Sequence, residues 1–308
     1  MKRTSATTPV RRPDFFIVGA PKCGTTALIE YLKQHPEVFV PERKELDFFC
    51  TDLVFKKYHL SEPQYLSWFA GANGQRRAGE GSVWYLRSTR AAAEIKDFSP
   101  TARIIIMLRN PVEVMHALHS QRVYNGNEDI EDFAAALEAE GDRRLGLRLP
   151  QLATDDFGCF YRDTVRYASQ IERYFDAFGR EHVRVILYEE FARETARVFR
   201  ETCRFLEIDE EFKPCLSVIN ARKRVRSPAV REFLRRPPAP ARLLLRAVGL
   251  RPDRNGGYKG WLRRLNSTSR GLRPLDAALR QRLQREFKPE VRRLSELLGR
   301  DLSHWCAT

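Results

Sequence analysis

Apolar residues along this chain follow two patterns, short continuous runs and stripes at helical spacing. The first run, DFFIVG from Asp14 to Gly19, stops at a glycine. An unbroken apolar run of that length fits a parallel strand covered on both faces that feeds a tight turn. In TTALIEYLKQH, from Thr25 to His35, the residues Ala27, Leu28, Tyr31 and Leu32 share a helical face, and Pro36 ends the pattern. A second run, RIIIML from Arg103 to Leu108, is rich in β-branched residues and predicts a central strand, with a helix beginning near Pro111. A third, VRVILY from Val183 to Tyr188, lies between helical stretches over 161–178 and 192–206. Strand and helix alternate, which predicts an α/β fold with a parallel sheet.

The pattern changes after Ala221. Residues 221–274 combine dense arginine with proline and glycine breakers, and predict irregular structure. From 275 to 298 helical spacing returns through Leu279, Leu283, Phe287, Val291, Leu294 and Leu298, predicting a helix that packs back on the core. A basic tail over 1–13 and a single domain over 14–308 account for the length, and no internal repeat is present.

Composition narrows the class. With 43% hydrophobic and 31% charged residues the chain can bury a core and fold as a globule. The net charge of +14 predicts anionic partners without choosing among nucleic acid, nucleotide, membrane surface or acidic polymer. Cys23, Cys50, Cys159, Cys203, Cys215 and Cys306 are scattered without the paired spacing of zinc or redox sites, so reduced thiols are expected. The N-terminus lacks the apolar core of a signal peptide, and no stretch of about twenty apolar residues offers a membrane span. These features predict a cytoplasmic address.

The strongest local signal is GAPKCGTT, Gly19 to Thr26, between a predicted strand and a predicted helix. In that setting the backbone N–H groups of the turn and of the first helical residues converge on anionic oxygens, and the helix dipole adds a favourable field. Gly19 and Gly24 have the Walker A spacing, but Thr25 follows Gly24 where a nucleoside triphosphatase carries its lysine. The cation is instead Lys22, inside the loop, which suits a terminal anionic group beside a 5′-phosphate.

The segment FFIVGAPKCGTTALIEYL resembles the 5′-phosphosulfate loop of sulfotransferases that use 3′-phosphoadenosine 5′-phosphosulfate (PAPS), closest to the branch of heparan sulfate sulfotransferase domains and their bacterial relatives. The resemblance implies a P-loop-like three-layer fold, with a central parallel β-sheet flanked by helices, PAPS as co-substrate and no metal. It assigns Lys22, Cys23, Gly24, Thr25 and Thr26 to the donor's 5′ end. IIIMLRNPVEVMHALHSQ is similar to the family's 3′-phosphate segment, with Arg109 as its arginine. The serine expected eight residues later is replaced by Ala117, leaving Ser120 as the nearest hydroxyl. GEGSVWY, Gly79 to Tyr85, resembles the segment of the catalytic glutamate and implies Glu80 as base. PERKELDFF, Pro41 to Phe49, looks like the stretch beside the acceptor cleft, with Lys44 as its cation and Phe48 and Phe49 as core. A Lys-Gly pair in RNGGYKGW, Arg254 to Trp261, matches the family's late donor-binding loop only in part. His116 and His119 lie three apart on the predicted helix with no third metal ligand suggested nearby.

The implied reaction is in-line displacement by an acceptor hydroxyl, of a carbohydrate or small metabolite, with no nucleic-acid partner. Two other classes compete. A P-loop nucleotide kinase shares the strand, loop and helix but needs the missing Walker lysine, and a basic nucleic-acid-binding protein would exploit the charge.

Overall fold

The apolar runs take their places in a computed structural model that describes residues 11–56, 59–216, 224–225, 267–268 and 274–307. In chain order the elements are β1 (Phe15–Gly19), α1 (Thr25–Leu32), β2 (Val38–Phe39), α2 (Glu62–Ser67), β3 (Arg77–Gly81), α3 (Ala91–Phe98), β4 (Arg103–Leu108) and α4 (Pro111–Asn125). They continue with α5 (Phe133–Glu138), α6 (Glu140–Arg144), α7 (Tyr161–Thr164), α8 (Tyr167–Phe178), β5 (Val183–Leu187), α9 (Tyr188–Arg193) and α10 (Thr195–Leu206). The two-residue strands β6 (Arg224–Val225) and β7 (Ser267–Thr268) pair antiparallel, and α11 (Ala277–Leu298) follows.

Four parallel pairings join five strands into one sheet in the order β2-β3-β1-β4-β5. β1 is central, with Phe15 beside Gly79 of β3 and beside Arg103 of β4. It is buried throughout, as its continuous apolar run requires. From β1 the chain builds one side of the sheet through β2 and β3, then crosses to β4 and β5 on the other. The loop after β1 therefore sits where the strand order reverses, the position at which open α/β sheets hold ligands at the carboxyl ends of their strands.

Helices cover this sheet as the α/β reading predicts. The stretch over 161–178 is two helices, because Thr164 turns its hydroxyl back to the Phe160 carbonyl and the chain breaks at Val165 and Arg166 before α8 begins. The stretch over 192–206 begins earlier than its periodicity suggests: α9 starts directly at the end of β5, and Glu194, with φ of −130°, separates it from α10. α11 buries Leu283, Phe287, Val291 and Leu294 in the same hydrophobic cluster as β1 and β4, and accommodates Pro289 within its length. Of the arginine-rich stretch 221–274, only β6, β7 and residue 274 lie within the described residues.

β3 is the strand that apolar pattern does not announce. Its sequence, RAGEG, is held by its neighbours: a Cβ on Gly79 would stand 2.5 Å from both the Phe15 ring and the Phe15 carbonyl oxygen. Only glycine lets β3 lie this close to β1.

Candidate active site

The turn after β1 is shaped by two left-handed residues, Lys22 at φ 65° and Gly24 at φ 89°, with Gly24 as the N-cap of α1. The Gly24 carbonyl accepts from the Ala27 and Leu28 N–H groups, so the helix begins at Thr25 and its first N–H groups have no partner inside it. Lys22 is exposed at the crest. Cys23 points the other way: its side chain is fully buried, its Sγ lies 3.4 Å from the Pro21 carbonyl oxygen, and burial pushes the thiol up to about 12. Its contribution to a cradle is confined to the backbone.

Lys44 comes to this turn from a separate segment. Its ammonium donates to Thr25 Oγ1 at 3.1 Å and Thr26 Oγ1 at 2.9 Å, and lies 3.3 Å from Glu45 Oε1. Lys44 is thus brought to Thr25 and Thr26, at the turn that carries Lys22 and Gly24, with the Glu45 carboxylate beside it. Glu45 was not singled out by motif reasoning. Its adjacency to Lys44 was the available signal, and its left-handed backbone, at φ 61°, was not readable from residue type.

Arg109 follows β4 directly. Its guanidinium lies 4.8 Å from the centre of the Tyr188 ring and donates to Glu113 Oε2 at 3.3 Å, while Glu113 Oε1 accepts from Arg280 at 2.6 Å. The Tyr188 ring also abuts the turn, 3.2 Å from where a Cβ on Gly24 would stand. Arg109, Tyr188 and the phosphate-loop candidate are therefore contiguous. Arg109, Asn110, Tyr188, Glu189, His304 and Trp305 line a cleft of about 580 Å³ at the carboxyl ends of β4 and β5. The C-terminal residues are tied into its wall, with Trp305 Nε1 donating to Glu189 at 2.7 Å and the Trp305 carbonyl accepting from Asn110 at 2.9 Å. Sequence reasoning gave no role to Tyr188 or Trp305, whose neighbours come from distant parts of the chain. Ser120 is half-buried on α4, nearly one turn beyond the buried Ala117. It does not line the cleft.

Glu80, the expected base, is enclosed by hydroxyl donors. It is 2% exposed, and accepts from the hydroxyls of Tyr65 at 2.9 Å, Tyr85 at 2.8 Å and Ser82 at 2.8 Å. Burial pushes its carboxyl above the ordinary range, and the hydrogen bonds from Tyr85, Ser82, Tyr65 and the Leu46 N–H offset this only in part. Four donors from within the protein thus surround this carboxylate.

The remaining sequence candidates are placed as follows. Phe49 is buried and Phe48 stacks on Tyr65 with ring centres 4.4 Å apart. His119 is buried against the Ile130 carbonyl, and His116 packs 5.3 Å from the Phe133 ring. Among the described residues no group of three or more His, Cys, Asp or Glu is arranged to hold a metal. Nor is any described helix long and apolar enough to cross a membrane. The Lys-Gly pair of Arg254 to Trp261 lies outside the described residues.

Known proteins bear on this arrangement. The family model described as Sulfotransferase domain matches residues 12–223. A solved sulfotransferase from Alicyclobacillus acidocaldarius is 31% identical with a TM-score of 0.73, over 97% of this chain and 100% of that one. The membrane-associated sulfotransferase kil1 of Dictyostelium discoideum is 22% identical over 278 residues, covering 66% of this chain and 58% of the relative. The bifunctional heparan sulfate N-deacetylase/N-sulfotransferase 1 of Caenorhabditis briggsae is 24% identical over 210 residues, covering 64% of this chain and 23% of the relative. Both curated relatives extend well beyond the part this chain matches.

Proposed function

This chain belongs to the sulfotransferase domain family, and we propose that it moves a sulfuryl group from PAPS to the hydroxyl of a carbohydrate or small-metabolite acceptor. The observation that carries the reading is the Lys44 ammonium bound to both threonine hydroxyls at the start of α1, beside the Lys22 turn. The Lys44 ammonium, the left-handed turn that carries Lys22 and the start of α1 come together, and each favours an anion there. The position after Gly24 is a threonine whose hydroxyl is engaged by Lys44, which fits a phosphosulfate rather than the triphosphate and magnesium of a kinase.

PAPS supplies an activated sulfuryl group and is converted to adenosine 3′,5′-bisphosphate. Lys22, Lys44 and the first N–H groups of α1 hold the negative charge that grows at the 5′-phosphate, and groups of this kind each contribute roughly 10²–10³ in rate. Arg109, at the end of β4 and facing the same contiguous surface, binds the 3′-phosphate through its planar fork. Ser120 is a lesser candidate for that phosphate, from the next turn of α4. Glu45, the carboxylate beside Lys44 with its side chain 42% exposed, takes the proton of the attacking hydroxyl. Glu80, which the motif resemblance implies for that role, is the second candidate, enclosed by Tyr65, Tyr85 and Ser82. The address belonging to this reading is the cytoplasm, which the six free thiols favour.

Calorimetric titration with adenosine 3′,5′-bisphosphate and with ATP and magnesium tests the donor, and labelled PAPS offered with a panel of hydroxyl acceptors tests the transfer. Binding of the bisphosphate in preference to ATP is the expected result. Absence of measurable affinity for both PAPS and the bisphosphate overturns the reading.

A further inference from the structure

α11 ends at Gly299, left-handed at φ 63°, and the chain turns back through a short 3₁₀ turn at Ser303–Trp305. The returning segment is fixed to the body at several points. Leu302 is buried and its N–H donates to Ser295 Oγ at 3.2 Å, Arg300 pairs with Glu190, and the Ala307 carbonyl accepts from Gln284 of α11 at 2.9 Å. Trp305 is buried among the core residues, and a buried indole has to find an acceptor for its N–H. It finds Glu189 Oε1 at 2.7 Å, an oxygen that also lies 3.1 Å from His304 Nε2. The Trp305 carbonyl in turn accepts from Asn110 Nδ2 at 2.9 Å, while Asn110 Oδ1 accepts from the Val112 N–H at 3.0 Å and caps α4. Both ends of the Asn110 amide are engaged, so its orientation is fixed.

These two attachments fall at matching places on neighbouring strands. β4 and β5 lie side by side, with Leu108 beside Leu187. Arg109 and Tyr188 come next, the guanidinium 4.8 Å from the ring centre, and Asn110 and Glu189 follow them. One residue, Trp305, therefore grips the position after each member of the Arg109–Tyr188 pair. A guanidinium forks onto a phosphate only from a defined orientation, and a long side chain set in advance loses less entropy when it binds.

We propose that Trp305 is a positioning residue that clasps the ends of β4 and β5, and that by fixing Asn110 and Glu189 it sets Arg109 against Tyr188 in the orientation that selects a 3′-phosphorylated nucleotide. The selective side of this inference rests on the 3′-phosphate role proposed for Arg109. The clasp itself does not.

The test uses the full chain, wild type against Trp305→Phe, Asn110→Ser, Glu189→Gln and Arg109→Ala. Trp305→Phe keeps a ring in the core and removes the indole donor. Asn110→Ser keeps a capping oxygen for α4, removes the amide donor, and carries the test if Trp305→Phe does not fold. In parallel calorimetric titrations, the preference for adenosine 3′,5′-bisphosphate over adenosine 5′-monophosphate is expected to fall roughly tenfold in both variants. Glu189→Gln leaves an acceptor for the indole and should not lower the preference. In the Arg109→Ala background Trp305→Phe should bring no further loss, because it acts through that guanidinium. A residue that only supported the fold would lower the melting temperature and leave the preference where it was. Unchanged preference in Trp305→Phe, or in Asn110→Ser where the former does not fold, overturns the proposal, as does a loss that persists in full without Arg109. If the wild type binds neither PAPS nor the bisphosphate, or prefers the bisphosphate no more than Arg109→Ala does, it is the proposed function that fails. Amide hydrogen exchange then judges the clasp alone: residues 112–114 and 188–191 are expected to lose protection roughly tenfold in Trp305→Phe while β1 keeps its own, and unchanged protection there overturns it.

Discussion

The Lys44 ammonium lies 2.9 Å from the Thr26 hydroxyl, joining a left-handed segment after β2 to the first turn of α1. Threonine needs no cation in a helix, and lysine loses side-chain entropy when fixed, so the contact is more readily understood as preparation for a third, anionic group. Lys44→Met is therefore expected to weaken adenosine 3′,5′-bisphosphate binding by roughly ten- to a hundredfold, the worth of a hydrogen bond to a charged group. Titration calorimetry measures this directly, and a melting temperature near that of wild type would place the loss in the site rather than the fold. Affinity equal to that of wild type would remove Lys44 from the cradle.

Glu45 is the carboxylate beside Lys44. A general base contributes about 10²–10⁴ in rate, so Glu45→Gln should lower kcat within that range, with donor affinity retained. Single-turnover measurements separate this from slower product release. Wild-type kcat in Glu45→Gln would exclude Glu45 as the base.

Arg109 shares its guanidinium with Glu113, which also engages Arg280. Burial would raise the Glu113 carboxyl, but the hydrogen bond from Arg280 and the nearby charges of Arg280 and Arg109 outweigh it and hold the group below the ordinary range. A bound 3′-phosphate has to compete with this carboxylate for Arg109. Arg109→Ala is expected to reduce the preference for adenosine 3′,5′-bisphosphate over adenosine 5′-monophosphate by about tenfold or more, and Glu113→Gln to increase it. Parallel titrations of the two nucleotides measure the preference, and a ratio that neither substitution moves would place the 3′-phosphate elsewhere.

These residues differ in how far the sequence reveals them. β1, β4 and β5 are legible because strands buried on both faces must be apolar along their length, and α11 because its buried face repeats at helical spacing. β3 is not, since Gly79 and Gly81 serve close approach to Phe15 and Ile29 rather than apolar burial. The phosphate-loop candidates are legible because a turn between strand and helix uses consecutive residues. Lys44 reaches the same turn from another segment and was found through motif resemblance alone. The enclosure of Glu80 is not legible from its neighbours in sequence, because it depends on Tyr65, contributed by α2. Trp305 and Tyr188 line one cleft from distant parts of the chain, which no local pattern encodes.

A final prediction concerns stability away from the site. Glu128 and Arg143 are wholly buried and paired through both guanidinium nitrogens, at 2.7 and 2.9 Å, with the Tyr161 hydroxyl donating to the same carboxylate at 2.6 Å. Burial alone would raise the Glu128 carboxyl, but the hydrogen bonds from Arg143, Tyr161 and the Ile130 N–H outweigh it and leave the group below its ordinary range. The unfolded chain then takes up the proton more readily than the native one, so the pair's contribution is complete above the ordinary glutamate range and is lost as pH falls through the native value. Thermal melting of the wild type should accordingly fall more steeply on acidification below about pH 5 than that of Glu128→Gln. Arg143→Met, which leaves the carboxylate buried and unpaired, should cost about 3–5 kcal/mol at neutral pH, and adding Glu128→Leu should recover much of it. Equal acid slopes in wild type and Glu128→Gln would mean that this carboxylate keeps its proton equilibrium unchanged on folding, against the direction its three donors impose.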